Sequence, residues 1–147
     1  MYAVYIVLGV TGVLFIAISL AILTMKRKSQ AIISKYFSTE EIVKSTVSGN
    51  FFGLTSRGTT QVRGNGPLVL TKSKLWFYLL MPREIIEIPC DDITLMEIRK
   101  SHMGKASPYP LLYVAFQTDR GDDSAAWLIS NPPEWVAALN ELSRHEE

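Results

Sequence analysis

The sequence predicts one transmembrane helix at the amino-terminal end of the chain, followed by a small, mainly-β domain that closes with an amphipathic helix. Three observations predict this architecture. Residues 1–25 carry no charged side chain, short apolar runs separated by turn residues occupy residues 51–130, and a helical apolar stripe follows them. Short strands separated by turn signals about every 8 to 12 residues are typical of an antiparallel sandwich or barrel.

The first segment, residues 1–25, has the length and composition of a membrane span. A helix rises about 1.5 Å per residue and a bilayer core is about 30 Å thick, so about 20 apolar residues suffice to cross it. Val, Ile, Leu, Ala and Phe dominate the segment, and its polar residues Thr11, Ser19 and Thr24 can bond to their own helix carbonyls. We expect this helix to contact membrane lipids.

The basic cluster Lys26-Arg27-Lys28 follows the apolar segment directly and predicts its orientation. A secretory signal peptide carries its positive charges before the apolar core and ends at a small-residue cleavage site, so the reversed order here favours a retained anchor. The positive-inside rule then predicts that the amino terminus lies outside and that everything after Lys26 lies in the cytoplasm.

Residues 26–38 are predicted to form a basic juxtamembrane linker. This linker could continue the membrane helix into the cytoplasm or lie along the lipid headgroups. Its basic residues either attract anionic lipid or only fix the topology, and the second interpretation is favoured.

Residues 39–147 are predicted to form one domain. At its start, Ser38-Thr39-Glu40-Glu41 has the pattern of a capping box, which predicts a short helix over residues 39–45. Gly49 and Asn50 are turn-prone and mark the expected boundary with the strands.

The strand region is predicted from short apolar and aromatic runs between turn residues. Lys72-Ser73-Lys74 is the expected loop of one hairpin, and residues 99–110 are expected to form a long loop suited to partner contact. The predicted strands cover residues 67–71, 75–80, 85–88, 93–98, 111–118 and 125–129.

A closing helix is predicted after Asn131, a good N-cap, with Pro132 at the first helical position and Glu134 three residues after the cap. Its apolar residues follow the spacing i, i+3, i+4, i+7, which places them on one face that must pack on the sheet. These residues are Trp135, Ala138, Leu139 and Leu142.

The order of these elements, strands capped by a carboxy-terminal helix, resembles the pleckstrin-homology superfold. Residues 64–71 (GNGPLVLT), 75–77 (LWF) and 88–93 (IPCDDI) are similar, in that order, to motifs of its GRAM and bacterial PH-like branch. The resemblance covers residues 41–143 and implies a PH-like antiparallel barrel or sandwich. The basic pattern of phosphoinositide-binding PH domains is absent from the first strand pair, which leaves headgroup recognition without support.

Candidate catalytic and metal-binding residues are few. His102 stands beside Ser101, but adjacency in sequence does not produce triad geometry, and the context predicts a solvated loop histidine. Cys90 precedes Asp91-Asp92, whose charges raise a thiol pKa, and is expected to be a small buried residue. His102, His145 and Cys90 cannot supply the four ligands of a structural zinc site. We therefore expect no enzyme activity, no cofactor and no metal.

Four basic residues, Arg57, Arg63, Lys72 and Lys74, lie near the first predicted hairpins and could form one rim that faces lipid or a partner. An ordinary solvated surface is slightly favoured for them. A formal net charge of +1 gives no support to nucleic-acid binding.

Two functions follow as expectations. The first is a non-enzymatic accessory subunit or scaffold, whose cytoplasmic domain docks onto a larger membrane protein complex through an integral membrane partner. The second is a tethered module that senses anionic lipid. Gentle detergent extraction followed by a native gel discriminates them, because a large co-migrating complex belongs to the first function and a small species to the second.

Overall fold

The computed structural model describes residues 1–144, which form a long helix, seven strands and a closing helix. Two short 3-10 turns, Thr55–Arg57 and Cys90–Asp92, connect strands. The helices and strands are α1 (Tyr2–Tyr36), β1 (Ile42–Leu54), β2 (Gly64–Thr71), β3 (Lys74–Leu80), β4 (Arg83–Pro89), β5 (Ile93–His102), β6 (Lys105–Thr118), β7 (Gly121–Leu128) and α2 (Pro132–Arg144).

All seven strands belong to one antiparallel sheet in the order β4-β3-β2-β1-β7-β6-β5. The long central strand β1 joins the two halves, because its first part pairs with β2 and its last residues, Asn50 to Leu54, pair with β7. Register shifts on either side of Phe51 and a positive φ at Gly53 (109°) bend it there. Strands β4 and β5 form the two edges of the sheet.

The main core lies on one face of the sheet, which α2 covers. Phe51, Phe77 and Trp127 pack with ring centroids 5.3 to 5.9 Å apart. Trp135 and Leu139 of α2 are buried in the same cluster, with Ala138 and Leu142 partly buried beside them. The predicted stripe of the closing helix is therefore confirmed as the face that packs on the sheet.

The helix α1 continues without a break to Tyr36, so most of the predicted linker is helical. Phe37 then adopts an extended conformation (φ −136°, ψ 140°) and ends the helix. None of residues 2–28 is buried, whereas Ser29 and Ile33 are. The last turns of α1 therefore lie against the domain while the apolar part extends away from it.

The predicted helix over residues 39–45 is wrong. Residues 39–41 form a turn, closed by the bond from the Glu41 amide to the Ser38 carbonyl, and β1 begins at Ile42. The Glu41 carboxylate does accept from the Ser38 amide, at 2.7 Å, as in a capping box, but no helix follows. Residues rich in β-branched side chains favour a strand, and β1 runs through Gly49 and Asn50, where a boundary was expected.

The predicted long loop at residues 99–110 is also wrong. Strands β5 and β6 extend through it and meet at Met103-Gly104, where both residues have positive φ (51° and 75°). Two successive positive φ angles are the requirement of the tight hairpin turn that matches strand twist. The other predicted strands are confirmed, each within a few residues of its expected bounds.

Candidate functional site

The feature that sets this molecule apart is the junction between α1 and the sheet. Ile22, Met25, Lys26, Ser29 and Ile33 follow the spacing i, i+3, i+4, i+7, i+11, so they lie on one face of the helix. This face is turned toward β1 and β2. The same helix that could cross a membrane is thus packed directly on the domain.

Four aromatic rings hold the end of α1 on the sheet. Trp76 is buried between the helix and the strands, with its ring centroid 5.1 Å from that of Tyr36, 5.0 Å from that of Phe37 and 5.9 Å from that of Tyr78. Together with Ile33 and Val69, the rings of Trp76 and Phe37 form a second hydrophobic cluster, separate from the main core. Aromatic pairs at these distances add to the energy of burial, so we interpret the joint as rigid.

Above this joint, toward the apolar part of α1, a crevice of about 230 Å³ separates the helix from the sheet. Ile22, Met25 and Lys26 line it on the helix side. On the sheet side it is lined by residues at the start of β2 and the end of β3, among them Asn65 and Leu80. Its walls are mostly apolar, with Lys26 as the charged residue among those that line it.

The basic cluster Lys26-Arg27-Lys28 is exposed at the level of this crevice. The ion pairs within residues 1–144 do not involve these three residues. Their positive charge is therefore uncompensated inside the described part of the chain.

The four basic residues predicted as a rim are not brought together. Arg57 and Arg63 precede β2, whereas Lys72 and Lys74 follow it, and eight strand residues span roughly 23 Å. Arg57 pairs with Glu84, and this contact raises the pKa of Arg57 and lowers that of the Glu84 carboxyl.

The other members of this predicted rim differ in their surroundings. Lys74 pairs with Glu87 at 2.8 Å, and Lys72 is exposed in the β2–β3 turn. Arg63 is half-buried, and its Nε has no hydrogen-bond partner within residues 1–144. Two of these four basic side chains are thus paired with a carboxylate, so the four residues do not form a continuous basic surface.

His102 is not the solvated histidine expected from the sequence: it is 5% exposed at the end of β5, next to the hairpin turn. Its Nε2 lies 3.0 Å from the Gly53 carbonyl, to which it donates, and its ring stacks edge-on to Tyr113 at 5.8 Å. Burial lowers the pKa of His102, and the nearby positive charges of Arg63 and Arg99 lower it further. The hydrogen bond to the Gly53 carbonyl acts in the opposite direction and raises the pKa. The buried His102 imidazole, which donates to the Gly53 carbonyl, therefore has a structural role.

This environment predicts how stability depends on pH. Because the pKa of His102 in the folded chain lies below its ordinary value of 6.5, the unfolded chain takes up a proton first as the pH falls. Stability should be full above pH 6.5 and decrease as the pH falls from there through the folded-state pKa. Urea titrations of the full chain in detergent at several pH values measure this, and His102→Gln, which retains a donor, should flatten the profile. Parallel profiles for the two proteins would exclude His102 as the cause.

The carboxylates and the cysteine have structural surroundings. Asp123 accepts from the Ser56 amide at 2.9 Å and the Ser56 hydroxyl at 2.6 Å, which ties the β1–β2 connection to β7. Cys90 is half-buried, packed against the main core, with its Sγ 3.8 Å from the Thr71 carbonyl. Within residues 1–144, no three His, Cys, Asp or Glu side chains are close enough together to hold a metal ion.

Two further features were missed by sequence reasoning. The domain-facing stripe of α1 gives no periodic signal, because its first part lies in a segment that is apolar on every side and its next residues are the polar Lys26 and Ser29. Trp76, by contrast, could have been assigned: in β3 the neighbours Leu75 and Phe77 face the main core, so alternation turns Trp76 to the opposite face.

Within the described residues, α1 is the one helix long and apolar enough to cross a membrane, with a mean hydropathy of 2.8 over its most apolar window. That window has no buried residue.

No protein-family model and no curated protein matches the sequence. Among solved structures, a chain of "The 8S snRNP Assembly Intermediate" is similar, with a TM-score of 0.54 and 14% identity, over 71% of this chain and 84% of that chain. The C-terminal domain of an unknown protein from Leishmania infantum has a TM-score of 0.47 and 17% identity, over 82% of this chain and 96% of that chain. At 14% identity, the similarity to the chain of the 8S snRNP assembly intermediate shows a similar fold and gives no information about function. The seven-stranded antiparallel domain with its amino-terminal apolar helix fits a PH-like or β-sandwich fold.

Proposed function

We propose that this chain is a single-pass membrane protein without enzyme activity, whose cytoplasmic PH-like domain docks onto a larger membrane protein complex. One observation carries the proposal: a helix with the properties of a membrane span continues directly into an aromatic joint with the domain, which we interpret as rigid. Such a joint holds the domain at a fixed height and orientation at the membrane surface. A fixed orientation is useful for presenting one surface to a neighbour in the same membrane.

The PH-like assignment, with GRAM and bacterial PH-like domains as the most similar branch, has two supports. The motifs at residues 64–71, 75–77 and 88–93 fall on β2, β3 and the β4–β5 connection, in the family's order. A carboxy-terminal helix covers the sheet, as the superfold requires.

The edge strand β5 is the surface that we propose for docking. An exposed edge offers unpaired backbone groups to which a partner can add a strand. Leu95 and Ile98 on β5 are each 43% exposed, which gives such a partner apolar contacts as well. Both edges carry charged side chains, but the opposite edge, β4, is shorter and ends at Pro89, which cannot donate a hydrogen bond to an added strand.

Charge favours protein docking over headgroup recognition by the domain surface. Lys72 and Lys74 lie at the end of β2 next to Phe37, away from the apolar part of α1, so they do not face the proposed bilayer. Arg57 is paired with Glu84. The phosphoinositide pattern is absent as well, so the alternative of an anionic-lipid sensor has no support from Lys72, Lys74 or Arg57.

A matched pair of edge variants tests the docking surface. Ile98 on β5 and Ile85 on β4 are similarly exposed, at 43% and 41%. After gentle detergent extraction, the full chain should migrate on a native gel as part of a large complex. Ile98→Lys should release the chain from it, because a lysine on an edge strand opposes strand addition, while Ile85→Lys should not. Migration of the unmodified chain as a small species would contradict the proposal.

A further inference from the structure

We propose that the crevice between α1 and the sheet binds a phospholipid of the leaflet on the domain's side. In this site the lipid phosphate lies next to Lys26, and an acyl chain packs against Ile22, Met25 and Leu80. The inference rests on the proposal that α1 crosses a membrane. It goes beyond anchoring, because it assigns one lipid a fixed position between the anchor and the domain.

The depth of the crevice is the first argument. The 25 uncharged residues that open the chain span about 37 Å as a helix, somewhat more than the hydrocarbon core of about 30 Å. Ile22 and Met25 therefore fall at the inner border of the hydrocarbon, and Lys26 is the first charge beyond it. From Ile22 to Ser29 the crevice covers about 10 Å along the helix axis, somewhat more than one headgroup layer of about 5 to 7 Å. It crosses the border where a phospholipid also changes from apolar to charged.

The second argument is the chemistry of the walls. Ile22, Met25 and Leu80 supply an apolar surface, while Lys26 and Asn65 supply hydrogen-bond donors. A lysine ammonium is a common phosphate ligand in proteins, and Lys26 has no ion-pair partner within residues 1–144. A ligand with a long apolar chain and an anionic head satisfies both parts of the crevice.

The third argument is the exposed turn beside the crevice. Met81 directly follows Leu80 at the tip of the β3–β4 hairpin and is 81% exposed. This apolar tip lies at the same end of the sheet as the crevice, toward the apolar part of α1. It continues the apolar wall of the crevice in the direction of the bilayer.

Photo-crosslinking of the full chain tests the site. The protein is reconstituted in phosphatidylcholine vesicles that contain phosphatidylglycerol with a diazirine in its acyl chain, and the adducts are mapped by mass spectrometry. We expect adducts on residues 2–21 of the anchor and, in addition, on Leu80 or Val47 of the crevice. Lys26→Gln should reduce the crevice adducts several-fold, whereas Lys28→Gln, which removes the same charge outside the crevice, should leave them unchanged. Val47→Trp, which fills the crevice, should abolish them.

The outcomes separate this site from the membrane anchor itself. Adducts on the anchor without any on the crevice would overturn the lipid site, because the bilayer would then surround the helix while the crevice held no lipid. Equal reduction by Lys26→Gln and Lys28→Gln would overturn it as well, since only general charge attraction would then act. A chain with no adducts at all would contradict the proposed membrane span.

Discussion

Replacing Trp135 with alanine is expected to destabilise the domain by about 3 to 5 kcal/mol. The indole is 1% exposed, in the main core between α2 and the sheet, with Lys44 Nζ 5.9 Å from the ring centroid. Removing it leaves a cavity under a helix of 13 residues in which Pro132 and Leu139 are the other fully buried residues. A loss of this size approaches the whole stability of a small domain. Urea denaturation of the full chain in detergent, followed by circular dichroism, measures it.

Asn140→Ala is the matched control for this variant, because Asn140 lies on the exposed side of the same helix. Its effect should remain within about 0.5 kcal/mol. A Trp135→Ala variant with the urea midpoint of the unmodified chain would show that α2 does not cover the core.

Replacing Gly66 with alanine is expected to cost about 3 kcal/mol or more, at the upper end of the cost of overpacking. A Cβ added at Gly66 would coincide with the backbone carbonyl of Tyr78, so β2 and β3 would have to separate. Both strands carry the residues that hold α1, and Gly66 itself lines the crevice next to the helix. The variant should therefore lose domain stability and the rigid joint together, which thermal unfolding and limited proteolysis near Tyr36 would detect.

Gly64→Ala is the matched control, two residues away on the same strand. Its Cβ would meet the end of the Leu79 side chain, at 3.0 Å, and a side chain can move aside where a backbone carbonyl cannot. If Gly66→Ala and Gly64→Ala gave equal melting temperatures, the close approach of β2 and β3 would be disproved.

The elements with strong local signals could be predicted from the sequence. The composition of the uncharged run before Lys26 is enough to predict the first helix, and the apolar periodicity around Trp135 is enough to predict the last. Neither prediction requires knowledge of contacts with the rest of the chain. Most strand centres follow the same rule, because Leu75 to Leu80 is rich in aromatic residues flanked by turn residues.

The remaining features depend on contacts between residues distant in sequence. Ser38 and Glu41 form the bonds of a helix start, but the strand β1 follows because β2 and β7 pair with it on both sides. His102 was expected in solvent, and it is buried because its ring packs against the Gly53 carbonyl of β1 and against Tyr113 of β6. The crevice at Lys26 arises between a helix and strand residues that lie about 20 to 55 positions further along the chain, so no local pattern predicts it.

The most direct test of a membrane-spanning α1 with a cytoplasmic domain is cysteine accessibility in intact cells. In a Cys90→Ser background, Ala3→Cys places a thiol at the outer end of the apolar run, and Asp119→Cys places one in the exposed β6–β7 turn. A membrane-impermeant maleimide should label the Ala3→Cys variant in intact cells and the Asp119→Cys variant only after the membrane is opened. Labelling of the Asp119→Cys variant in intact cells would contradict the proposed topology.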